Sequence, residues 1–263
     1  MALDIKPIKE GHGVTYRQPK NDILMRIPFR GLALAPSNSG KTVAIVNMLT
    51  RPEFYGGLFT HIYWCSPTAT IDPALDALRS YVKTMDQDQD EDPTFHESVD
   101  VEFLQSRVNR QRKVVEHMKK SKTRQHGFAM CIVLDDLADV KRGLPQVARF
   151  VDSLFVKCRH WGVSVILSSQ KLKLPLISPT VRVNITFALI FRLRNNSDLI
   201  DGFEQEYSAI IDKRTLHEMY MAAVSKPFGF LYLNLMEQDR NKIFHNAFQS
   251  RFIVDEQTEP EHE

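Results

Sequence analysis

Eight residues constrain this chain more than any others: Ala35-Pro36-Ser37-Asn38-Ser39-Gly40-Lys41-Thr42. They follow an apolar run, Gly31–Leu34, and precede a stretch whose apolar residues Val43, Ile45, Val46, Met48 and Leu49 suit one face of a helix. A strand, a tight loop and a helix form the setting in which G-x-x-x-x-G-K-[ST] wraps a phosphate. Successive backbone N–H groups surround the anion, a glycine lets the backbone come close, and the helix points its positive end at the charge. Ser37, Asn38, Ser39 and Gly40 form the cradle. Lys41 is suited to the β- and γ-phosphates of a nucleotide, and the Thr42 hydroxyl to Mg²⁺. Alanine stands at position 35 in place of the first glycine, and it tolerates fewer backbone angles. Lys41 is expected at the open mouth of the loop, carrying charge and no packing.

A second acidic site follows about a hundred residues on. Met130-Cys131-Ile132-Val133-Leu134 is an apolar strand ending in Asp135 and Asp136. An aspartate at such a strand end holds Mg²⁺ beside a phosphate loop, which suits Asp135. Asp136 is placed to polarise an attacking water, one methylene shorter than the glutamate common there. A turn of two aspartates is the bland alternative. Another apolar strand, Val163–Ser168, leads to Gln170, where a polar side chain can sense the γ-phosphate.

Short apolar runs alternate with amphipathic stretches along the whole chain, the pattern of an α/β protein with a buried parallel sheet. Strands are predicted at Gly31–Leu34, Phe59–Cys65, Phe128–Leu134, Val163–Ser168, Thr186–Arg192, Phe228–Leu235 and Lys242–Ala247, the last two as a hairpin. Helices are predicted at Lys41–Thr50, Pro73–Val82, Val101–Lys119, Pro145–His160, Asp198–Glu206 and Lys213–Ala223, with Gly162 as a left-handed cap. Residues 1–27 read as an N-terminal extension, 28–250 as one domain with a charged insertion near 84–126, and 251–263 as an acidic disordered tail. The insertion splits by charge. Residues 86–102 carry eight acids and no Lys or Arg, whereas 103–126 carry eight Lys or Arg and the single acid Glu116. The acidic half reads as a solvated loop. The basic half reads either as a contact to nucleic-acid phosphates or as the partner of the acidic run, and both readings stand.

The net charge of +2 excludes a blanket polycation. The three cysteines, Cys65, Cys131 and Cys158, show no CxxC and suit buried apolar positions in a reducing compartment. With no secretory pattern at the start and no long apolar run, the expectation is a soluble intracellular protein. Guanine recognition by N-K-x-D is missing, since Asn241-Lys242 continues as Ile243-Phe244. An LSGGQ signature is also absent, and no Arg-rich kinase lid stands out.

The stretch Arg159-His160-Trp161-Gly162-Val163-Ser164-Val165-Ile166-Leu167-Ser168-Ser169-Gln170, followed by Val181-Arg182-Val183-Asn184, resembles the FtsK–HerA superfamily of DNA-pumping ATPases. In that superfamily an Arg precedes the strand that ends in Gln, and a basic-x-Asn triplet comes later. The short size, the loop and the Asp-Asp strand end look most like viral genome-packaging ATPases of the poxvirus, giant-virus and Polinton type, over residues 28–235. The resemblance implies a P-loop NTPase of the ASCE/RecA-like kind, with a mostly parallel central sheet flanked by helices. It implies Mg²⁺-dependent hydrolysis of ATP to ADP and phosphate, coupled to translocation of double-stranded DNA into a capsid. It further implies a homo-oligomeric ring, hexamer or pentamer, a capsid or membrane component of the virion as partner, and work at a viral assembly site or in the virion, in host cytoplasm or nucleus. Arg159 and Arg182 become candidates to reach the γ-phosphate of a neighbouring subunit. A different class also fits: a nucleotide-binding switch module, not a motor, that regulates a capsid or membrane interaction.

Overall fold

Strands buried at every position need cover on both faces, and this chain provides it. A computed structural model describes residues 14–121, 126–137, 144–172 and 177–254. In it β1 (Arg30–Leu34), β4 (Met130–Leu134), β5 (Val163–Ser169), β6 (Phe187–Phe191) and β7 (Phe230–Asn234) are buried along their whole length. With β2 (His61–Cys65), β3 (Phe95–His96), β8 (Phe244–Asn246) and β9 (Ser250–Arg251) they form one nine-stranded sheet in the order β3-β2-β4-β5-β1-β6-β7-β8-β9. Pairing is parallel from β3 to β6 and antiparallel from β6 to β9. Thus β5 separates β1 from β4, and the ends of all three carry the residues singled out in the sequence.

Alternation along the strands makes two cores. On one face Leu32, Leu34, Ile132, Val165 and Leu167 meet α3 (Val101–Ser121), α4 (Leu144–Lys157), α5 (Pro179–Asn184) and α7 (Lys213–Ala223). On the other, Ala33, Val133 and Ile166 meet α1 (Lys41–Thr50) and α2 (Asp76–Val82). Cys65, Cys131 and Cys158 are buried free thiols, and burial pushes the first and last up to about 12, so they act as small apolar residues. Among the described residues no helix is long and apolar enough to cross a membrane.

Several elements depart from the sequence pattern. Most strands start a residue or two later than expected; β7 does so because Phe228 adopts a left-handed φ of 62°, which no strand accommodates. The helix expected over Asp198–Glu206 widens into a π-helical segment, Ser197–Glu204, closed by one α-turn, α6 (Gln205–Tyr207), with the weak helix former Gly202 inside it. Gly162 is left-handed as expected, at φ 69°. The acidic run is not simply a solvated loop. Asp92 is buried, accepts the Tyr63 hydroxyl at 2.9 Å and pairs with Arg107 at 2.9 Å, while Phe95–His96 adds β3 to the sheet. Order also persists past residue 251: Val254 N–H donates to Asn241 Oδ1 at 2.7 Å, so the expected disordered tail does not begin there. Residues 255–263, Lys122 and Arg124 lie outside the described residues, as do residues 1–13 of the expected extension; residues 14–27 bury Leu24, Met25 and Ile27.

Gly31 is where the sheet tolerates no side chain. It sits opposite Phe187 on β6, and a Cβ there would stand 2.3 Å from that ring. Gly31→Ala should therefore lower stability by about 1–3 kcal/mol, the usual cost of overpacking. Urea unfolding should show the loss, and Gly31→Ala combined with Phe187→Leu should recover part of it.

Candidate functional site

The loop after β1 turns by two left-handed residues, Asn38 (φ 62°) and Gly40 (φ 88°). Ser39 Oγ donates to the Pro36 carbonyl at 2.7 Å, tightening the bend. Ala35 has no positive φ; it is fully buried and its N–H donates to the Ser169 carbonyl at 2.9 Å. The alanine therefore satisfies a position where a glycine's freedom is not used. α1 begins directly at Lys41 with no side-chain cap, so its first N–H groups are left to a ligand or water. Together these form an open anion cradle at a helix N-terminus.

Lys41 is not exposed at the mouth, as the sequence suggested, but buried. Its Nζ lies 3.5 Å from Asp135 Oδ1 and 3.5 Å from Asp136 Oδ1. The reason is topological: the strand end carrying both aspartates is only one strand away from β1, so a lysine at the loop's end reaches it and folds inward. Asp135 is fixed by its own N–H, which donates to the Cys65 carbonyl at 2.8 Å, and it accepts the Thr42 hydroxyl at 3.3 Å. Asp136 takes φ 52°, turning its side chain away from the strand direction, and accepts Gln170 Nε2 at 2.8 Å. Lys41, Thr42, Asp135, Asp136 and Gln170 are thus brought together; Ser37, Asn38, Ser39 and Gly40 line the same cleft of about 390 Å³.

Lys41 Nζ and Asp135 Oδ1 are buried without a hydrogen-bond partner, two groups of opposite charge left short of ligands. One hydroxyl and one carboxylate oxygen are the usual protein share of a Mg²⁺ shell, the rest being water and phosphate oxygen. The donor set fits that ion. Among the described residues no cluster of three or more His, Cys, Asp or Glu could hold a metal by itself.

Arg159 and Arg182 lie elsewhere. Arg159 is exposed in the turn that precedes β5, at the end of the sheet opposite the loop. It borders a second cleft of about 610 Å³ together with Arg30, Arg26 and Lys20, and Arg30 Nε is buried there without a partner. Arg182, on α5, is 3.6 Å from Glu206 within the same chain. The sequence reading missed Ser66, Thr68 and Asp72, which line the first cleft, and two residues that touch the loop itself. Arg194, just past β6, donates to the Ser37 carbonyl at 3.1 Å, and Phe228 lies against Gly40. The only sequence signal for Arg194 was an arginine at a strand's end.

A strand inserted between the loop strand and the Asp-Asp strand, with a lysine from one meeting the carboxylates of the other, defines a P-loop ATPase fold. Solved structures agree on the fold. The coupling protein TcpA of pCW3 conjugation, in monomer form with ATPγS, gives a TM-score of 0.52 at 12% identity, covering 78% of this chain and 57% of that one. The genome packaging NTPase B204 of Sulfolobus turreted icosahedral virus 2, solved with sulfate, gives 0.50 at 14% identity, covering 80% and 93%. The Poxvirus A32 protein family matches residues 17–224. The chain belongs to that family. Uncharacterized protein 075L of Invertebrate iridescent virus 6 is 27% identical over 153 residues, 58% of this chain and 55% of that protein, so the match spans about half of that relative.

Removing the Lys41 charge leaves a buried carboxylate without its partner, which typically costs about 3–5 kcal/mol. Lys41→Met should therefore destabilise the nucleotide-free protein by about 3 kcal/mol, and Lys41→Met with Asp135→Asn should regain most of it. Urea unfolding of the two variants checks this. A Lys41→Met protein as stable as wild type would contradict a buried pair.

Proposed function

We propose that this chain is the ATP-hydrolysing subunit of a viral DNA-packaging motor, a homo-oligomeric ring, hexamer or pentamer, that moves double-stranded DNA into a capsid. The observation that carries the reading is the buried Lys41 between Asp135 and Asp136, beneath an uncapped helix N-terminus. The backbone N–H groups of 37–42 hold the phosphates of ATP, and Lys41 swings from its carboxylates to the β- and γ-phosphates. Thr42 and Asp135 would hold Mg²⁺, which would supply neutralisation of charge on the phosphate oxygens. Asp136 takes the proton of a water attacking the γ-phosphorus, releasing ADP and phosphate. Gln170 engages Asp136 Oδ1 and leaves Oδ2 without a protein hydrogen bond among the described residues. As phosphate leaves, Gln170 registers the change through that same bond and passes it to β5.

At the opposite end of the sheet, the second cleft holds more basic than acidic side chains, Lys20, Arg26, Arg30, Arg159, Lys242 and Arg251 against Asp22 and Glu237. Arg30, whose Nη1 donates to the Phe155 carbonyl, keeps a buried Nε free for an anion brought by another molecule. A neighbouring subunit's γ-phosphate fits that demand, and Arg159 supplies the trans charge. Arg182 is a second candidate, though it must first leave Glu206. Of the basic helix, Arg107 is committed to Asp92, whereas Arg110, Lys113, Lys119 and Lys120 are exposed and make no ion pair among the described residues. That half is the part suited to DNA phosphates, read without sequence preference. A capsid or membrane component of the virion as docking partner, and work at the assembly site, follow from the same reading.

Lys41→Ala and Asp135→Ala should abolish ATP hydrolysis. Asp136→Asn should keep ATP binding and slow turnover by about 100-fold or more, the scale of a lost general base. Arg159→Ala should be inactive alone and regain activity when mixed with Lys41→Ala, since some interfaces then pair two intact halves. Duplex DNA should raise turnover, with an affinity that falls with salt at about −0.9 log units per phosphate contact. Lys119→Gln with Lys120→Gln should flatten that slope and leave basal turnover unchanged. Slow hydrolysis indifferent to DNA, with no rescue on mixing, would instead identify a switch module.

A further inference from the structure

The cleft has a wall that phosphate chemistry does not explain. Phe228 is 70% exposed, an unusual state for a phenyl ring beside a polar cradle, and it borders the same cleft as Lys41 and Asp135. A Cβ on Gly40 would stand 2.9 Å from Phe228 Cδ1, so the ring rests directly on the loop. Val43, which also lines the cleft, is 50% exposed one residue past Thr42.

This ring is held in place by its backbone. α7 ends at Ala223, and Lys226 to Gly229 form a turn closed by the Gly229 N–H on the Lys226 carbonyl at 3.1 Å. Gly229 packs so closely that a Cβ would meet the Ala223 carbonyl at 2.4 Å. Between them Phe228 adopts φ 62°, a conformation an aromatic residue rarely takes without a reason. The turn spends that strain on presenting a ring to the cleft instead of burying it.

Sheet order gives the direction in which a nucleotide lies. The Asp135 and Asp136 carboxylates follow β4 and Gln170 follows β5, both on one side of β1. Phe228 precedes β7, two strands from β1 on the other side. Because β7 runs antiparallel, its start lies at the same end of the sheet as the ends of β1, β4 and β5. With the γ-phosphate beside Asp136 and Gln170, the phosphate chain crosses the loop at Lys41 and its nucleoside end emerges toward β6 and β7. Arg194, past β6, and Phe228, before β7, stand on that side of the loop, and Phe228 is the aromatic one.

We propose that Phe228 is the base platform of the site, stacking the nucleobase of the bound nucleotide, with Val43 packing beside it. The inference rests on the phosphate-site reading and adds the part of the ligand that reading leaves unplaced. Stacking engages the face of a base and not its edge, so the platform accepts ATP and GTP alike.

The test compares binding of MgATP, MgGTP and magnesium tripolyphosphate, which has the phosphates without a base, to wild type, Phe228→Ala and Phe228→Tyr. Phe228→Ala should lose about 5- to 100-fold in affinity for both nucleotides, the range for one base on one aromatic ring, and keep its tripolyphosphate affinity. Phe228→Tyr should restore nucleotide binding. An equal loss for tripolyphosphate would make Phe228 a prop for the Gly40 loop and overturn the platform. Unchanged nucleotide affinity with weakened self-association would overturn it too, assigning the ring to a subunit interface. Wild-type protein that binds neither nucleotide nor tripolyphosphate would remove the phosphate site itself, and the platform with it.

Discussion

A lysine buried against two carboxylates is the contact on which the rest of the structure turns. Lys41 sits 3.5 Å from both Asp135 and Asp136, and two of those three groups are almost wholly out of water. Burying charge is costly unless it is paired, so the strand ends of β1 and β4 must be held in fixed register with β5 between them. The continuous parallel ladders on either side of β5 provide that register. The triad nonetheless carries a net negative charge and leaves Lys41 Nζ and Asp135 Oδ1 without hydrogen bonds. In the proposed complex a phosphate oxygen would supply the missing partner of Lys41 and a cation that of Asp135, so ligand binding would also add local stability.

The same arrangement separates the chemistry from its candidate trans partner by the length of the strands. β5 begins beside Arg159 and ends at Gln170, and it is buried along its full length between the two cores. In the proposed motor, β5 is thus a stiff, close-packed element along which a change at Gln170 would reach the cleft of Arg30 and Arg159. A single strand joins the two ends that the proposed ring would have to keep in step.

Much of this was legible in the residues. The loop, α1, the Asp-Asp strand end and the strand leading to Gln170 each combine a periodic apolar pattern with an end signal of specific chemistry, and local physics decides both. The hairpin of β7 and β8 was legible for the same reason. What escaped depends on contacts between distant residues. Lys41 folds inward only because β4 lies one strand from β1, and sequence spacing does not state strand order. Asp92 is buried by Tyr63 and Arg107, so an acidic run that reads as solvated contains one carboxylate that is not. Phe228 sits in an apolar run that reads as strand; the left-handed turn that exposes it is decided by the approach of Gly229 to Ala223.

Among the described residues the two borders of the sheet are β3 and β9, each only two residues long. A wide sheet with such short rims offers almost no free backbone for another chain to continue. Copies of this protein gathered at high local concentration are thereby steered away from growing into fibrils through strand addition. The proposed ring would then have to associate through side-chain surfaces, which can close a circle and can be released again.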